Sequence, residues 1–255
     1  MFIDTHAHLY HQQFAGDREA MLARAIDVGV TKFFLPNVDH GSIEGMDAMA
    51  AAHPATCFAM MGIHPCSVGE VNDEALDEVE RLLRTGRYCG VGEVGIDLYW
   101  DKTWITQQQE AFRQQVRWAK ELDLPVVIHC RNSFAETIAV LEEENGDDLR
   151  GVFHCFTGSP EEARRIIALD GFMLGIGGVI TYPRGGLYET MQVVGAEQCV
   201  LETDAPYLAP VPFRGKRNES AYIPHIAEKL ALATGRTVAE IASITTTNAE
   251  RLFRR

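Results

Sequence analysis

The chain has 255 residues, 46% of them hydrophobic, and a net charge of −13. That composition supports a sizeable buried core and excludes a largely disordered chain. The excess of acid excludes a broad electrostatic grip on a nucleic-acid duplex, which rests on neutralising many phosphates, but leaves room for a pocket whose positive charge is local and comes from metal ions.

The first element is FIDTHAHL, residues 2–9. It reads as a strand, and its alternation places Asp4, His6 and His8 on one face. A helical pattern follows over 18–29 and stops at a glycine. Strands are predicted over 32–38 (KFFLPNV), 57–65 (CFAMMGIHP) and 89–97 (CGVGEVGID). A long amphipathic helix over 105–123 is stopped by Pro125, and strands over 125–130 and 151–156 come next. The helix over 159–171 opens with Ser159 as N-cap, Pro160 at its first position and acids in its first turn. Strands over 172–178 and 199–206 and helices over 221–233 and 237–253 complete the chain.

Eight strands alternating with helices, one unit per roughly 30 residues, predict an α/β chain folded as a single (β/α)8 TIM barrel over residues 1–255. A doubly wound open sheet is the alternative. It usually carries a glycine-rich loop after its first strand, where this chain has His8-Leu9-Tyr10-His11.

In a barrel the active site lies at the carboxyl ends of the strands. Those ends carry His6 and His8, His64, Glu93, His129, His154, and Glu202 with Asp204. Imidazoles and carboxylates buried together without a cation would leave charge unpaired and acceptors unsatisfied, at several kcal/mol per group. A divalent metal resolves this, since nitrogen and oxygen ligands suit Zn²⁺ and its relatives. His6 and His8 can chelate one ion. Glu93 can bridge two, His129 and His154 can hold the second, and Asp204 closes the ring, as in two-metal sites with ions about 3.5–4 Å apart. Asp4, one layer deeper, is expected to orient a histidine. Cys130 and Cys155 follow ligand candidates, so alternation turns them towards the helices. The six cysteines, Cys57, Cys66, Cys89, Cys130, Cys155 and Cys199, form no CxxC pair and read as reduced packing residues. With no charged-then-apolar leader and no apolar run near about 18 residues, a cytoplasmic protein with no membrane association is expected.

In order and spacing, F-I-D-T-H-A-H-L, G-I-H-P, G-E-V-G-I-D, P-V-V-I-H-C-R, F-H-C-F-T-G-S and L-E-T-D-A-P-Y-L resemble the TatD family of metal-dependent hydrolases, the TatD-type deoxyribonucleases. The resemblance runs from residue 2 to about 253. It implies a barrel with two divalent ions (Zn²⁺, Mg²⁺ or Mn²⁺) and phosphodiester hydrolysis. It also implies the ligands His6, His8, Glu93, His129, His154 and Asp204, the same six that the strand ends point to. The family pattern R-G-K-x-N-E-P reads Arg214-Gly215-Lys216-Arg217-Asn218-Glu219-Ser220 here, and serine in place of proline predicts a looser loop. After Tyr182, Pro183 and Gly185-Gly186 depart from the lysine-bearing loop of the family.

The expected activity is removal of nucleotides from the 3′ end of DNA by two-metal activation of water. DNA ends or short nucleic acids are the expected substrate, and no obligate protein partner is expected. Asp204 is the candidate for orienting the water and taking its proton, with Glu93 as the other catalytic carboxylate. The alternative is an amide or ester hydrolase on the same barrel. Many amidohydrolases bridge their metals with a modified lysine, whereas Glu93 takes that place here. A non-catalytic metal-binding protein would need no orienting acid. Candidate substrate contacts are His64, otherwise part of a turn with Pro65; Arg131, otherwise in a surface salt bridge; Arg214 and Lys216, clustered with Arg217 and otherwise a solvated loop; and Glu202, otherwise behind a ligand. Tyr99 and Trp100 either stack on a base or pack on a helix.

Overall fold

Parallel strands alternate with helices along the whole chain in a computed structural model, which describes residues 1–254 other than Val71 and Asp147. The strands are β1 (Phe2–Asp4), β2 (Val30–Pro36), β3 (Cys57–Met60), β4 (Val91–Asp97), β5 (Val126–Arg131), β6 (Gly151–Phe153), β7 (Phe172–Ile176) and β8 (Cys199–Leu201). The helices are α1 (Arg18–Asp27), α2 (Ile43–Ala52), α3 (Asp73–Leu83), α4 (Ile105–Glu121), α5 (Phe134–Glu144), α6 (Pro160–Ile167), α7 (Leu187–Val194), α8 (Ile223–Thr234) and α9 (Val238–Phe253). Among the described residues no helix is long and apolar enough to cross a membrane.

Continuous ladders join β1 to β3 and β4 to β8. Two isolated bridges close the circle. Met61 pairs with Val91 between β3 and β4, and Ala7 pairs with Ala205 between the ends of β1 and β8. At the second seam His8 N donates to Ala205 O (2.7 Å) and Asp204 N to His6 O (2.9 Å). The result is a closed (β/α)8 barrel, as predicted. Several strands are shorter at their carboxyl ends than the sequence pattern suggests. β1, β6 and β8 stop before their histidines or acids because the chain leaves the regular ladder there and turns its side chains into the mouth.

Two cores follow from strand alternation. Ile3, Phe34, Met60, Cys89, Val127, Val152, Met173 and Val200, one from each strand segment, fill the barrel interior. Leu252 and Phe253 of α9 plug its lower end, with the Phe253 ring stacked on Phe34 at 4.0 Å between centroids. Burial of each such ring is worth about 1.5–3 kcal/mol. The residues between them, such as Phe33, Val126 and Phe153, face outward against the helices. At the helix starts the sequence reading holds: Ser159 and Glu162 form a capping box on α6, with Pro160 at the first position, worth about 1 kcal/mol.

The interior assignment corrects one expectation. Ile3 faces inward, so Asp4, the next residue of an extended strand, faces outward, opposite Phe33 in the β1–β2 register. β1 ends at Asp4 and the chain bends over Thr5–His6, which resets the alternation. His6 and His8 face the mouth, but Asp4 does not share their face and orients no imidazole. Its carboxylate accepts from Thr203 N (3.0 Å), Thr203 Oγ1 (2.6 Å) and Ser220 Oγ (2.6 Å). Burial raises its pKa to about 7 against these donors.

Candidate metal centre

Glu93 stands at the middle of the barrel mouth, and its two oxygens face different histidines. Oε2 lies 3.2 Å from His6 Nε2 and 3.8 Å from His8 Nε2. Oε1 lies 2.9 Å from His129 Nδ1, 3.1 Å from His154 Nε2 and 3.4 Å from His64 Nε2. Asp204 joins the first group, with Oδ1 3.4 Å from His8 Nε2 and 3.8 Å from His6 Nε2. The six residues read from the strand ends therefore converge on one place, divided into two groups by a single carboxylate.

Two glycines make this convergence possible. Gly95 lies between Glu93 and Asp97 at φ 143°, and any Cβ there would collide with the carbonyl oxygen of His129. A Cβ on Gly175 would fall on the carboxylate of Glu202, 2.8 Å from its Cδ.

Neighbouring groups set the tautomers. The Tyr10 hydroxyl donates to Pro36 O (2.6 Å), so it accepts from His8 Nδ1 (3.0 Å), and the lone pair of His8 is left on Nε2, facing Glu93 and Asp204. His129 contacts Asp97 Oδ2 through Nε2 (2.8 Å), and His154 Nδ1 lies 3.3 Å from Glu202 Oε1. His64 differs. Its Nδ1 accepts from Cys66 N (3.1 Å), so its Nε2 carries a proton and faces Glu93 Oε1 as a donor. The fifth histidine of the cluster is thus a hydrogen donor rather than a lone-pair donor, and it is not merely part of the turn before Pro65.

The electrostatics follow from burial and proximity. Burial works against charge on Glu93, yet His154, His64 and His6 hold its carboxyl well below the usual range. Burial likewise opposes protonation of His154, but Glu93 and Glu202 carry its pKa well above that of a free imidazole. His6 moves down, from burial and from His154 stacked at 3.7 Å between ring centroids. Among the described residues, both ring nitrogens of His6, Nδ1 of His154 and Oε2 of Glu202 are buried without a hydrogen-bond partner. Nitrogens and oxygens that approach closely without hydrogen-bond alignment are what a cation-binding donor set requires. Among the described residues three groups of three bring their ligand atoms within reach of one ion: His6, His8 and Glu93; His6, His154 and Glu202; and His64, Glu93 and His129, where the proton on His64 Nε2 takes that ring out of the donor set.

The remaining predicted residues separate. Glu202 is fully buried; it accepts the Cys155 N–H and backs His154, so it is the deeper residue and not a surface for substrate. Cys155 itself stands at φ 46°, outside the extended region, so the alternation that would turn it outward does not apply. Arg131 forms no salt bridge among the described residues; its guanidinium lies 3.8 Å from the Tyr99 ring centroid. Arg214 lies over Tyr182 (4.5 Å), and Lys216 is exposed. Arg217 leaves the expected basic cluster, because Asp17 binds it at 2.6 Å and Phe14 lies under it. Ser220 is fully buried on Asp4, so the segment expected to be loose is anchored. Asp97 is the functional candidate that sequence reasoning missed. It falls at i+4 from Glu93 on the same strand face, so the alternation that found Glu93 also reaches it.

The profile of the family described as TatD related DNase matches residues 3–254. The chain is 37% identical over 255 residues to an uncharacterized metal-dependent hydrolase, YabD, of Bacillus subtilis, covering 100% of this chain and 99% of that one. It is 34% identical to the 3′-5′ ssDNA/RNA exonuclease TatD of Pantoea vagans, with 98% of each covered. Among solved structures, YjjV, a TatD homologue from Escherichia coli K12, superposes with a TM-score of 0.93 at 31% identity, covering 100% of this chain and 98% of that one.

Proposed function

The chain belongs to the TatD related DNase family, and from that premise we propose that it is a two-metal phosphodiesterase removing nucleotides from the 3′ end of single-stranded nucleic acid. The observation that carries this reading is the division of Glu93, with Oε2 turned to His6 and His8 and Oε1 to His129 and His154. His6, His8, Asp204 and Glu93 would hold one ion, and His129, His154 and Glu93 the other. The donor set takes Zn²⁺, Mn²⁺ or Mg²⁺. When bound, such ions supply Lewis acidity that lowers the pKa of water from 15.7 towards about 7 and neutralises charge on phosphate oxygens.

The residues do the rest. Tyr10 and Asp97 hold the rings of His8 and His129, and Glu202 backs that of His154. Asp204, with its side chain 15% exposed at the mouth, orients the attacking water and accepts its proton. His64 presents its Nε2–H beside Glu93 and donates to a phosphate oxygen entering there. Arg131, Arg214 and Lys216 supply positive charge around the rim of an acidic protein. The 3′-5′ exonuclease named among the relatives supports the choice of bond and polarity.

A substrate panel tests the reading: single-stranded DNA with a free or blocked 3′ end, RNA, a phosphotriester and an N-acyl amide, each with added Mg²⁺, Mn²⁺ or Zn²⁺. Digestion confined to free 3′ ends is expected. Cleavage of the amide alone overturns the assignment.

A further inference from the structure

Beyond the metal ligands, the mouth carries an aromatic pair that the chemistry does not use. Tyr99 and Trp100 follow β4 and are 52% and 71% exposed, which disposes of helix packing. Their rings meet edge to face at 4.8 Å. Arg131, at the end of β5 and in register with Asp97, lays its guanidinium 3.8 Å from the Tyr99 centroid and 5.4 Å from that of Trp100. Two adjacent exposed rings here offer flat apolar faces on which a planar ligand can stack.

Asp97 ties this pair to the reaction centre. Its Oδ2 contacts His129 Nε2 at 2.8 Å, while its Oδ1 accepts from Tyr99 N (2.9 Å) and Trp100 N (3.3 Å). One carboxylate therefore fixes both the imidazole beside Glu93 and the turn that bears the two rings, so the rings are held in a set position relative to His129.

We propose that Trp100, backed by Tyr99 and Arg131, is a stacking platform for a nucleobase of a single-stranded substrate, with Arg131 also reaching the adjoining phosphate. Aromatic faces accept any base, and an arginine such as Arg131 adds a phosphate contact without sequence preference. Bases paired within a duplex are not free to stack there, so the platform selects unpaired strands. In a chain of net charge −13, this gives binding energy that does not depend on a basic surface. The proposal rests on the phosphodiesterase reading above.

The test compares wild type, Trp100→Ala and Trp100→Phe on a single-stranded oligothymidylate and on the same backbone with abasic residues upstream of the 3′ nucleotide. Trp100→Ala is expected to raise KM on the base-bearing strand roughly five- to a hundredfold, with little change on the abasic strand, and Trp100→Phe to recover most of the loss. Arg131→Ala is expected to raise KM on both strands. The platform is overturned if Trp100→Ala leaves KM unchanged on the base-bearing strand or raises it equally on both. If wild type hydrolyses neither strand under any metal, the phosphodiesterase reading itself fails, and that is distinct from a wild type that is active and a Trp100→Ala variant that is unimpaired.

Discussion

Ser220 donates its hydroxyl to Oδ2 of Asp4 across 2.6 Å, 216 residues away in the sequence. Thr203 donates to the same oxygen, and its backbone N–H goes to Oδ1. Thr203 lies between Glu202 and Asp204, so Asp4 anchors the backbone that carries both acids as well as the segment after Lys216. A hydrogen bond to a buried carboxylate is worth about 1.5–3 kcal/mol. Ser220→Ala is therefore expected to lower unfolding stability by about that amount in urea titrations, and Asp4→Ala to cost less in the Ser220→Ala background than in wild type. Additive losses would show that the two groups do not act as a pair.

Asp97 holds His129 and caps the turn of Tyr99 and Trp100, so its substitution reaches two readouts. Partners of this kind behind a metal-binding histidine are worth about 10–100-fold in metal affinity or activity. Asp97→Asn is expected to lose that much in metal affinity, measured by titration of the metal-free protein, while remaining folded. It keeps one oxygen for the turn, so KM is expected to change less than in Trp100→Ala. Unchanged metal affinity in Asp97→Asn would remove the role assigned to this carboxylate.

The divided contacts of Glu93 make an asymmetric prediction about metal content. Glu93→Ala removes an oxygen from both groups, whereas Asp204→Asn touches only the side of His6 and His8. Dialysed proteins analysed for bound metal are expected to show Glu93→Ala losing both ions and Asp204→Asn at most one. Hydrolysis by Asp204→Asn is expected to fall by about 10²–10⁴-fold, the usual loss for a general base. In parallel, chelation is expected to lower the melting temperature of wild type and re-addition of metal to restore it, with the shift absent in Glu93→Ala. A ligand at a hundred times its Kd stabilises by about 2.7 kcal/mol. Full activity in either variant at unchanged metal content contradicts the assignment.

The ligand candidates were legible in the sequence because each falls at a strand end, where composition and period coincide. Alternation accounts for His129, which lies inside β5, whereas His154 and Asp204 lie beyond the ends of β6 and β8 and are placed by their position after a strand. It failed at Asp4, because it assumes an unbroken strand and the bend after β1 shifts the face by one residue. It could not decide the part played by His64, which is set by a backbone N–H from Cys66 that closes off Nδ1. Nor did it foresee the burial of Ser220, because the residue pairs with a carboxylate on the first strand and nothing local announces that partner. The rim residues were the least legible. Whether Arg217 faces a substrate or Asp17 depends on where α1 lies against the last loops, a tertiary outcome with no periodic trace.

The cysteines offer a prediction independent of metal chemistry. Of the six, Cys66 alone is exposed; Cys57, Cys89 and Cys199 are buried. Burial raises the Cys57 pKa to about 11 and moves those of Cys130, Cys155 and Cys199 upward as well. A raised thiol pKa means less thiolate at any pH below it, and the thiolate is the species that alkylates. At pH 8 the folded protein is therefore expected to take up one equivalent of iodoacetamide, at Cys66, with the other thiols reacting only after denaturation. Mass spectrometry of the modified peptides checks both points, and Cys66→Ser should remove the fast reaction. Uptake of two or more equivalents at pH 8 would contradict the placement of the other cysteines.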